Sequence, residues 1–557
     1  MNWVWVRFGP PLVALRGVAG NRALRRTSIA FLIFSGAEAA TWVAILVFAY
    51  ERGGASATGL VGLLLLLPAG VLAPIGAALG DRYRRERVLG FGYLAQAIAT
   101  GLTAAAIALD ASDAAVYAGA VVAMVTMTTS RPAHHSLMPT LARTPDEVTA
   151  ANSVSSLGDG LGSTLGTLSV TVLLAVGTVG LVYGAAAVML AFGALAVLML
   201  GAHTAPASSG RLRPWGLVIE AGHAFGVIAR SPGPRLLVGL AALMTVAWGA
   251  FDVLLVSVAI DVLGWGDSGV GALQTAAGLG ALAGAAGSVA LVGRRGLWPA
   301  IVGATIVLAG GFVLAGSTRG VAMVVVATLA AGGALTVLDV VGRTLLQRVV
   351  DDAILTRVFG VIEALWMAGV GVGSGIAGVL TKTFSIPTAL AIVGGGLIVL
   401  TVPTIPGLRR IDRAAVVPER QFSLVRGLAM FAPLPRTELE RVARQLTRIV
   451  TPTGADVVVQ GETGDRFYVI DAGAFDVIVD GVPIRRLGEG DFFGEIALLH
   501  DVPRTATVRA AEDGAVWALD QEEFLATVTG QPQAERAAHA ISAERLRGLA
   551  QRDEPNA

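Results

Sequence analysis

Apolar positions in this chain follow two regimes. From residue 27 to 403 they form near-continuous runs, and beyond that they alternate with charges and turns. A run of about 20 mostly apolar residues can cross a bilayer as a helix. Twelve such spans are predicted: 28–50, 58–79, 88–109, 114–138, 151–175, 179–200, 236–263, 268–291, 298–315, 321–341, 358–380 and 387–403. The longest interior gap, 201–235, carries Pro206, Ser208, Ser209, Gly210 and Pro214, and reads as a linker between two six-helix halves, 28–200 and 236–403. Segment 1–27 places Trp3, Trp5, Phe8 and Leu12 near Arg16, Arg22, Arg25 and Arg26. It is expected to lie at the membrane interface rather than to act as a signal peptide, because Arg7 and Pro10-Pro11 interrupt its apolar stretch.

After a link at 404–423, Leu424, Leu428, Leu439, Val442 and Leu446 sit at helical spacing. The period then changes to two, as in Phe475, Val477 and Val479 before the turn Asp480-Gly481. Short strands between glycine turns predict a β-roll within an α+β domain at 424–530. A last helix, with the tail, fills 531–557. The expected architecture is an all-α membrane domain of 12 transmembrane helices joined to this α+β cytoplasmic domain.

Composition agrees with the pattern. Hydrophobic residues are 54% of the chain and charged residues 15%, against roughly a quarter for soluble proteins. Mean hydropathy is +0.70. A net charge of +1 gives no reason to expect nucleic acid as a partner. The absence of cysteine excludes disulfides, thiol catalysis and cysteine metal sites. Lys382 is the only lysine among 41 basic residues, a usage that points to GC-rich coding and a bacterial source. Basic residues also orient the chain. Twenty arginines fall in or beside the loops on one side, Arg131 among them, and only Arg52, Arg319 and Lys382 on the other. The positive-inside rule then places both termini, the central linker and the last domain in the cytoplasm of a multi-pass plasma (inner) membrane protein.

The loop after the second span reads Leu79-Gly80-Asp81-Arg82-Tyr83-Arg84-Arg85-Glu86-Arg87. An aspartate at a helix end can accept bonds from helix N-termini and arginines, so such a loop can latch two halves in one state. Together with the six-plus-six pattern, it resembles the signature of the major facilitator superfamily, in a form similar to its drug and siderophore exporters. It departs from that pattern at Arg84, where glycine is common, and at Ala77, which replaces the leading glycine. The resemblance implies a conformational latch made by Asp81, Arg82 and Arg85. Weak internal symmetry sets Ser130-Arg131-Pro132 against Gly342-Arg343-Thr344 at the ends of spans four and ten.

Acidic residues inside spans are costly and functional by default. Glu38, about 16 Å into span one at 1.5 Å per residue, is the foremost proton-coupling candidate. Asp159 and Asp252 are similarly deep, and interhelical hydrogen bonding is an equal explanation for each. Asp339 is expected to pair with Arg343 four residues on, and Glu363 to answer an arginine such as Arg357. The run Gly369–Gly375 reads as close helix packing rather than an ion filter. His134 and His135 lack a third ligand and read as polar cap or linker residues, so no metal site is expected.

In the last domain, Gly490-Asp491-Phe492-Phe493-Gly494-Glu495-Ile496-Ala497-Leu498-Leu499 is followed by Pro503-Arg504-Thr505-Ala506-Thr507-Val508. Backbone N–H groups over Gly494, Glu495, Ile496 and Ala497 can cradle a phosphate, and Arg504 offers a forked cation. Glu495 beside a phosphate would be repelled, which argues for a sugar hydroxyl as its partner. This stretch resembles the phosphate-binding cassette of cyclic-nucleotide-binding domains, and Gln460-Gly461-Glu462, Gly464-Asp465 and Gly473 extend the resemblance. The family implies phosphate binding by Arg504, a ribose 2′-hydroxyl bond to Glu495 and a further hydroxyl contact from Thr505. Threonine there can favour cGMP, whereas a bacterial source favours cAMP, and cAMP is the expected ligand. Arg545 and Leu546, on the final helix, are candidates for a lid over the base.

These expectations amount to a secondary transporter, a proton-coupled exporter of a small apolar or amphipathic molecule, controlled by cytoplasmic cAMP. A non-transporting cyclic-nucleotide sensor and a lipid flippase with the same regulatory domain remain alternatives. A channel is disfavoured by the missing Thr-Val-Gly-Tyr-Gly filter, and no P-loop, nucleophile motif or metal cluster points to an enzyme.

Overall fold

Long apolar runs rich in alanine, leucine and glycine satisfy their backbone only as helices when water is excluded, and helices are what form. The computed structural model describes residues 20–142, 145–200, 226, 228–288, 291, 296–350, 352–414, 419–434 and 436–550. The chain divides into two units at 415/416.

The first unit is all helix: α1 Arg22–Arg82, α2 Arg85–Ala108, α3 Asp113–Leu141, α4 Pro145–Val176, α5 Val179–Leu198, α6 Pro232–Ser257, α7 Gly266–Ser288, α8 Trp298–Ser317, α9 Val321–Val349, α10 Asp352–Thr383, α11 Ile386–Thr401 and α12 Ile405–Ala414. Asn21 starts α1, its side chain accepting from the N–H groups of Ala23 and Leu24. Gly54, at φ 60 and ψ −160, kinks α1 into two limbs that correspond to the first two predicted spans. A π-helical turn, Val258–Val262, ends α6. Ten of these helices are long and apolar enough to cross a membrane. Outward-facing side chains such as Leu102, Phe192 and Val399 remain exposed, as lipid contact requires.

Glycine sets the packing. In the first half, Gly36 of α1 lies against Gly162 and Gly166 of α4; in the second, Gly249 of α6 lies against Val370 of α10 and Gly373 against Val246. The run Gly369–Gly375 splits between two neighbours. Gly369 and Gly373 face α6, while Gly371 and Gly375 face Leu63 and Leu66 of α1. Alternate residues of a glycine run thus serve two helix seams, the close packing expected of it. The halves meet where the second limb of α1 packs on α10 and where α4 packs on α7.

Two corrections concern the boundaries. The 404–423 segment is not a plain link. Leu408 and Ile411 share one face of α12 and are buried against the first unit. Asp412 accepts from the backbone N–H groups of Leu297 (3.0 Å) and Trp298 (3.3 Å), capping α8, while Arg409 stacks on Trp298 at 4.2 Å. Residues 415–418, which follow α12, lie outside the described residues, as do 1–19, most of the 201–235 linker and the tail 551–557. His134 and His135 are likewise not loop residues, because α3 runs through Pro132 and Pro139 to Leu141.

The second unit begins with α13 Glu419–Gly427 and α14 Arg436–Gln445. Eight strands follow: β1 Thr447–Thr451, β2 Asp456–Val458, β3 Arg466–Ala472, β4 Phe475–Val479, β5 Val482–Leu487, β6 Phe492–Phe493, β7 Thr507–Ala510 and β8 Gly514–Asp520. They form two antiparallel four-stranded sheets, β1-β8-β3-β6 and β2-β7-β4-β5, with Ile470, Phe475, Phe493 and Val508 between them. The Asp480-Gly481 turn has positive φ at both residues, the geometry of a two-residue hairpin. Helices α15 Glu495–His500, α16 Gln521–Thr529 and α17 Pro532–Ala550 complete the unit. Phe431, Phe467 and Phe524 pack the flanking helices onto the outer face of the first sheet.

Candidate functional site

Two sites emerge, one in each unit. In the helical unit, Arg131 is the organising residue. Its guanidinium donates to Glu38 Oε2 at 2.7 Å and reaches Asp159 Oδ1 at 3.0 Å, while Ser35 Oγ donates to Asp159 at 2.8 Å. One fork bridging two carboxylates from two other helices is geometry that only arginine offers. Arg131 also lies over the rings of Phe31 and Phe34. Next to it, buried His134 stacks on Phe31 at 3.8 Å and bonds Ser155 Oγ at 2.9 Å. By sequence Arg131 counts among the arginines that orient the chain. It is instead an internal counter-ion, and Glu38 is therefore not a lone carboxylate. The signal was present in the sequence, since Arg131 falls inside the apolar run 114–138 that also carries the two histidines.

A second cluster occupies the other half. Arg343 donates to Asp339 Oδ1 at 2.7 Å, the i,i+4 pair expected from spacing, and Glu363 lies 4.0 Å from Arg343. Each half therefore carries an arginine between two acids, on α3 and on α9. Arg357, the other candidate partner of Glu363, has a side chain outside those described.

Asp252 belongs to neither cluster. It is 5% exposed and accepts from Gln274 Nε2 of α7 at 3.1 Å, with Trp42 of α1 as its other polar neighbour. Nine residues on, Asp261 accepts a hydrogen bond from Tyr50 on α1, and both line a cavity of about 750 Å³ together with Gly54, Ser56, Arg319 and Ser385. In the loop expected to form a latch, Asp81 and Arg82 are helical but their side chains fall outside those described; Arg85 donates to the Ser136 carbonyl of α3 at 3.1 Å.

In the second unit the sequence places the cassette at the junction of β6, α15 and the segment before β7. Gly494 adopts φ 93 to enter α15, and a side chain there would collide with Arg504 Nη1 and the Arg466 carbonyl. A methyl on Gly464 would come within 2.7 Å of the Ala497 methyl. Both glycines hold open the cradle beside Arg504. The backbone of Arg504 is clamped by Gly461 and Glu462, and its side chain is buried, donating to the carbonyls of Gly494 (3.0 Å) and Arg466 (2.8 Å). Among the described residues the nearest carboxylate is that of exposed Asp465, at 3.6 Å. Burial pulls the Arg504 guanidinium down from its usual value, with Tyr468 and nearby acids opposing. A buried guanidinium held mostly by neutral carbonyls retains charge for an anion, so the residues present fit a phosphate.

Glu495 is 1% exposed. Arg545 of α17 donates to it at 2.8 Å and to the Phe492 carbonyl at 3.0 Å, with its guanidinium 4.2 Å above the Phe492 ring. Burial raises the Glu495 carboxyl above its ordinary range, against the lowering pull of Arg545. Thr505 and Leu546 are half-buried, and Ile496 and Ala497 are buried. His500 bonds Ser542 at 3.0 Å, a second tie between α15 and α17 that sequence reasoning did not anticipate.

Comparison with known proteins gives a separate match within each unit. Residues 448–530 match the family model "Cyclic nucleotide-binding domain" and residues 27–338 match "Major Facilitator Superfamily". The cAMP-dependent protein kinase regulatory subunit of Yarrowia lipolytica is 36% identical over 95 residues, 17% of this chain and 25% of that protein. An uncharacterized protein of Mycobacterium tuberculosis is 39% identical over 99 residues, 18% of this chain and 20% of the relative. The match thus spans a quarter or less of these relatives' lengths. The crystal structure of the Thermus thermophilus catabolite activator protein aligns at 28% identity over 22% of this chain and 61% of its own, with a TM-score of 0.21. With more than half of its residues matched, the chain belongs to the Major Facilitator Superfamily and carries a C-terminal cyclic nucleotide-binding domain.

Proposed function

We propose that the chain is a secondary active transporter, a proton-coupled exporter of a small apolar or amphipathic molecule, whose cycle responds to cytoplasmic cAMP. The observation that carries the regulatory half is Arg504, buried, facing carbonyl oxygens and set beside Glu495. Arg504 binds the cyclic phosphate and Glu495 the ribose hydroxyl. The choice of cAMP over cGMP is supported by the relatives named as cAMP-dependent kinase subunits, of Yarrowia lipolytica and of Drosophila melanogaster, the latter 33% identical over 100 residues. The transport half follows from family membership and from an arginine between two acids in each half. Twelve crossings result when α1 counts twice and α3 crosses, with both termini cytoplasmic by the arginine bias. Asp81, Arg82 and Arg85 form the latch in this reading. Nucleotide biases transport only insofar as it prefers one arrangement of the carrier.

Calorimetric titration of the full-length protein with cAMP and with cGMP, beside Arg504→Ala, tests this reading. Saturable cAMP binding that disappears in a folded Arg504→Ala protein is the expected result. No binding by folded wild type removes nucleotide control. Binding without any change in flux turns the protein into a membrane sensor.

A further inference from the structure

Three of the deep acids in the helical unit are already answered by cations. Glu38 and Asp159 share Arg131, and Asp339 pairs with Arg343. Among the described residues no cation pairs with Asp252. It is 5% exposed at the seam of the halves, on α6 of the second half and facing Trp42 of the first. Gln274 Nε2 is its hydrogen-bond donor at 3.1 Å.

The helices packed against α6 are α1, α7, α9, α10, α11 and α12. Their charged groups include Glu38 on α1, Asp267 on α7, Asp339 and Arg343 on α9, Glu363 and Lys382 on α10, and Asp412 on α12. Among the described residues none of these pairs with Asp252, and Gln274 and Trp42 are the side chains that act on it. On its own helix, Arg235 lies nearly five turns from Asp252 and bonds the Ala229 carbonyl instead, and Asp261, in the π-helical turn that follows, is engaged by Tyr50.

A carboxylate that is both buried and without a cation is neutralised by a proton more cheaply than by any rearrangement. A neutral carboxyl still accepts from Gln274 through its carbonyl oxygen, so protonation leaves the observed hydrogen bond in place. We propose that Asp252 is the proton-binding site of this carrier, carrying its proton in the conformation seen here, and that the Arg131 cluster is a structural ion bridge. The step is a plain protonation. Water on one side donates a proton to the Asp252 carboxylate while the seam is open there, and the proton returns to water on the other side when α1 parts from α6 and α7. The place at the seam gives the proton its leverage, because an ionised Asp252 buried there carries a desolvation cost that water entering an opened seam relieves.

The inference rests on the proton-coupled reading above, and its test needs no substrate. Infrared difference spectra of the full-length protein in lipid nanodiscs are recorded between acid and alkaline pH. The expected result is a protonated-carboxyl band that is lost as pH rises, absent in Asp252→Asn, displaced rather than abolished in Asp252→Glu, and kept in Glu38→Gln. Gln274→Leu, which removes the donor to the ionised form, moves the titration to higher pH. A band that persists unchanged in Asp252→Asn, or a wild type with no such band, overturns the proposal. A titrating Asp252 band in vesicles where no substrate gradient ever moves protons confirms the site and overturns proton-coupled transport instead.

Discussion

Arg545, near the end of the chain, donates to the carboxylate of Glu495 at 2.8 Å, so the final helix is fastened to the acid expected to meet the nucleotide's sugar. Glu495 is almost wholly enclosed, and Arg545 is its cation. Arg545→Ala therefore leaves a buried charge unanswered. Thermal unfolding of the variant should show a loss on the order of 1.5–3 kcal/mol in the nucleotide domain. Arg545→Ala combined with Glu495→Gln should recover part of that loss, because a neutral amide tolerates burial better. Equal stability of the two variants would mean the pair is only incidental.

Arg131 bridges two carboxylates on different helices, and lysine carries the charge without the fork. Arg131→Lys should keep the protein folded but release either Glu38 or Asp159, at a cost of roughly 1.5–3 kcal/mol. Adding Asp159→Asn to Arg131→Lys should restore much of the loss, which thermal stability in detergent would reveal. An Arg131→Lys protein as stable as wild type would remove the bridge as a structural element.

Glycine positions differ sharply in what they tolerate. A methyl at Gly373 would be driven into the Val246 carbonyl, whereas one at Gly303 or Gly310 would meet nothing within 4 Å. Gly373→Ala should part α10 from α6 and destabilise by about 1–3 kcal/mol. Gly303→Ala and Gly310→Ala should be neutral or slightly stabilising, through helix propensity. Melting of the three variants in one detergent compares them directly.

Acid should loosen the nucleotide domain at Asp471. Burial pushes this carboxyl up, but bonds from Arg420 of α13 and Arg448 of β1, each 2.9 Å, outweigh it and hold it below the usual range. A carboxyl lowered by folding contributes stability in full above its unfolded value near 3.8, and that contribution is lost as pH falls through the lower folded value. Unfolding followed from neutral pH down past this range should show the loss, and Asp471→Asn should flatten the acid limb. An unchanged limb in the variant would assign acid sensitivity elsewhere.

Periodicity made most of this fold readable. Apolar runs located the helices, and the switch to alternation located the roll, because both patterns reflect which face is kept from water. The cassette was readable for a different reason. Its residues lie close in sequence, so Gly494, Glu495 and Arg504 are brought together largely by one short helix and the loop after it. The cluster around Arg131 was not readable, since Glu38, Arg131 and Asp159 lie on three helices and nothing local pairs them. Arg131 looked like a topological signal because inside a membrane protein an arginine's usual place is the rim. The amphipathic segment 405–414 was read as a link because ten residues are too few to stand out beside spans twice that length.

Asp412 gives the docking of α12 a mechanical meaning. A strand of slack chain would absorb a pull applied at 415–418. A helix whose acid grips the first N–H groups of α8 passes that pull on, to a fixed point of load at the root of one helix in the second half. Any load applied at the end of α12 is thus delivered to a single lever, the N-terminal end of α8, rather than spread along the bundle.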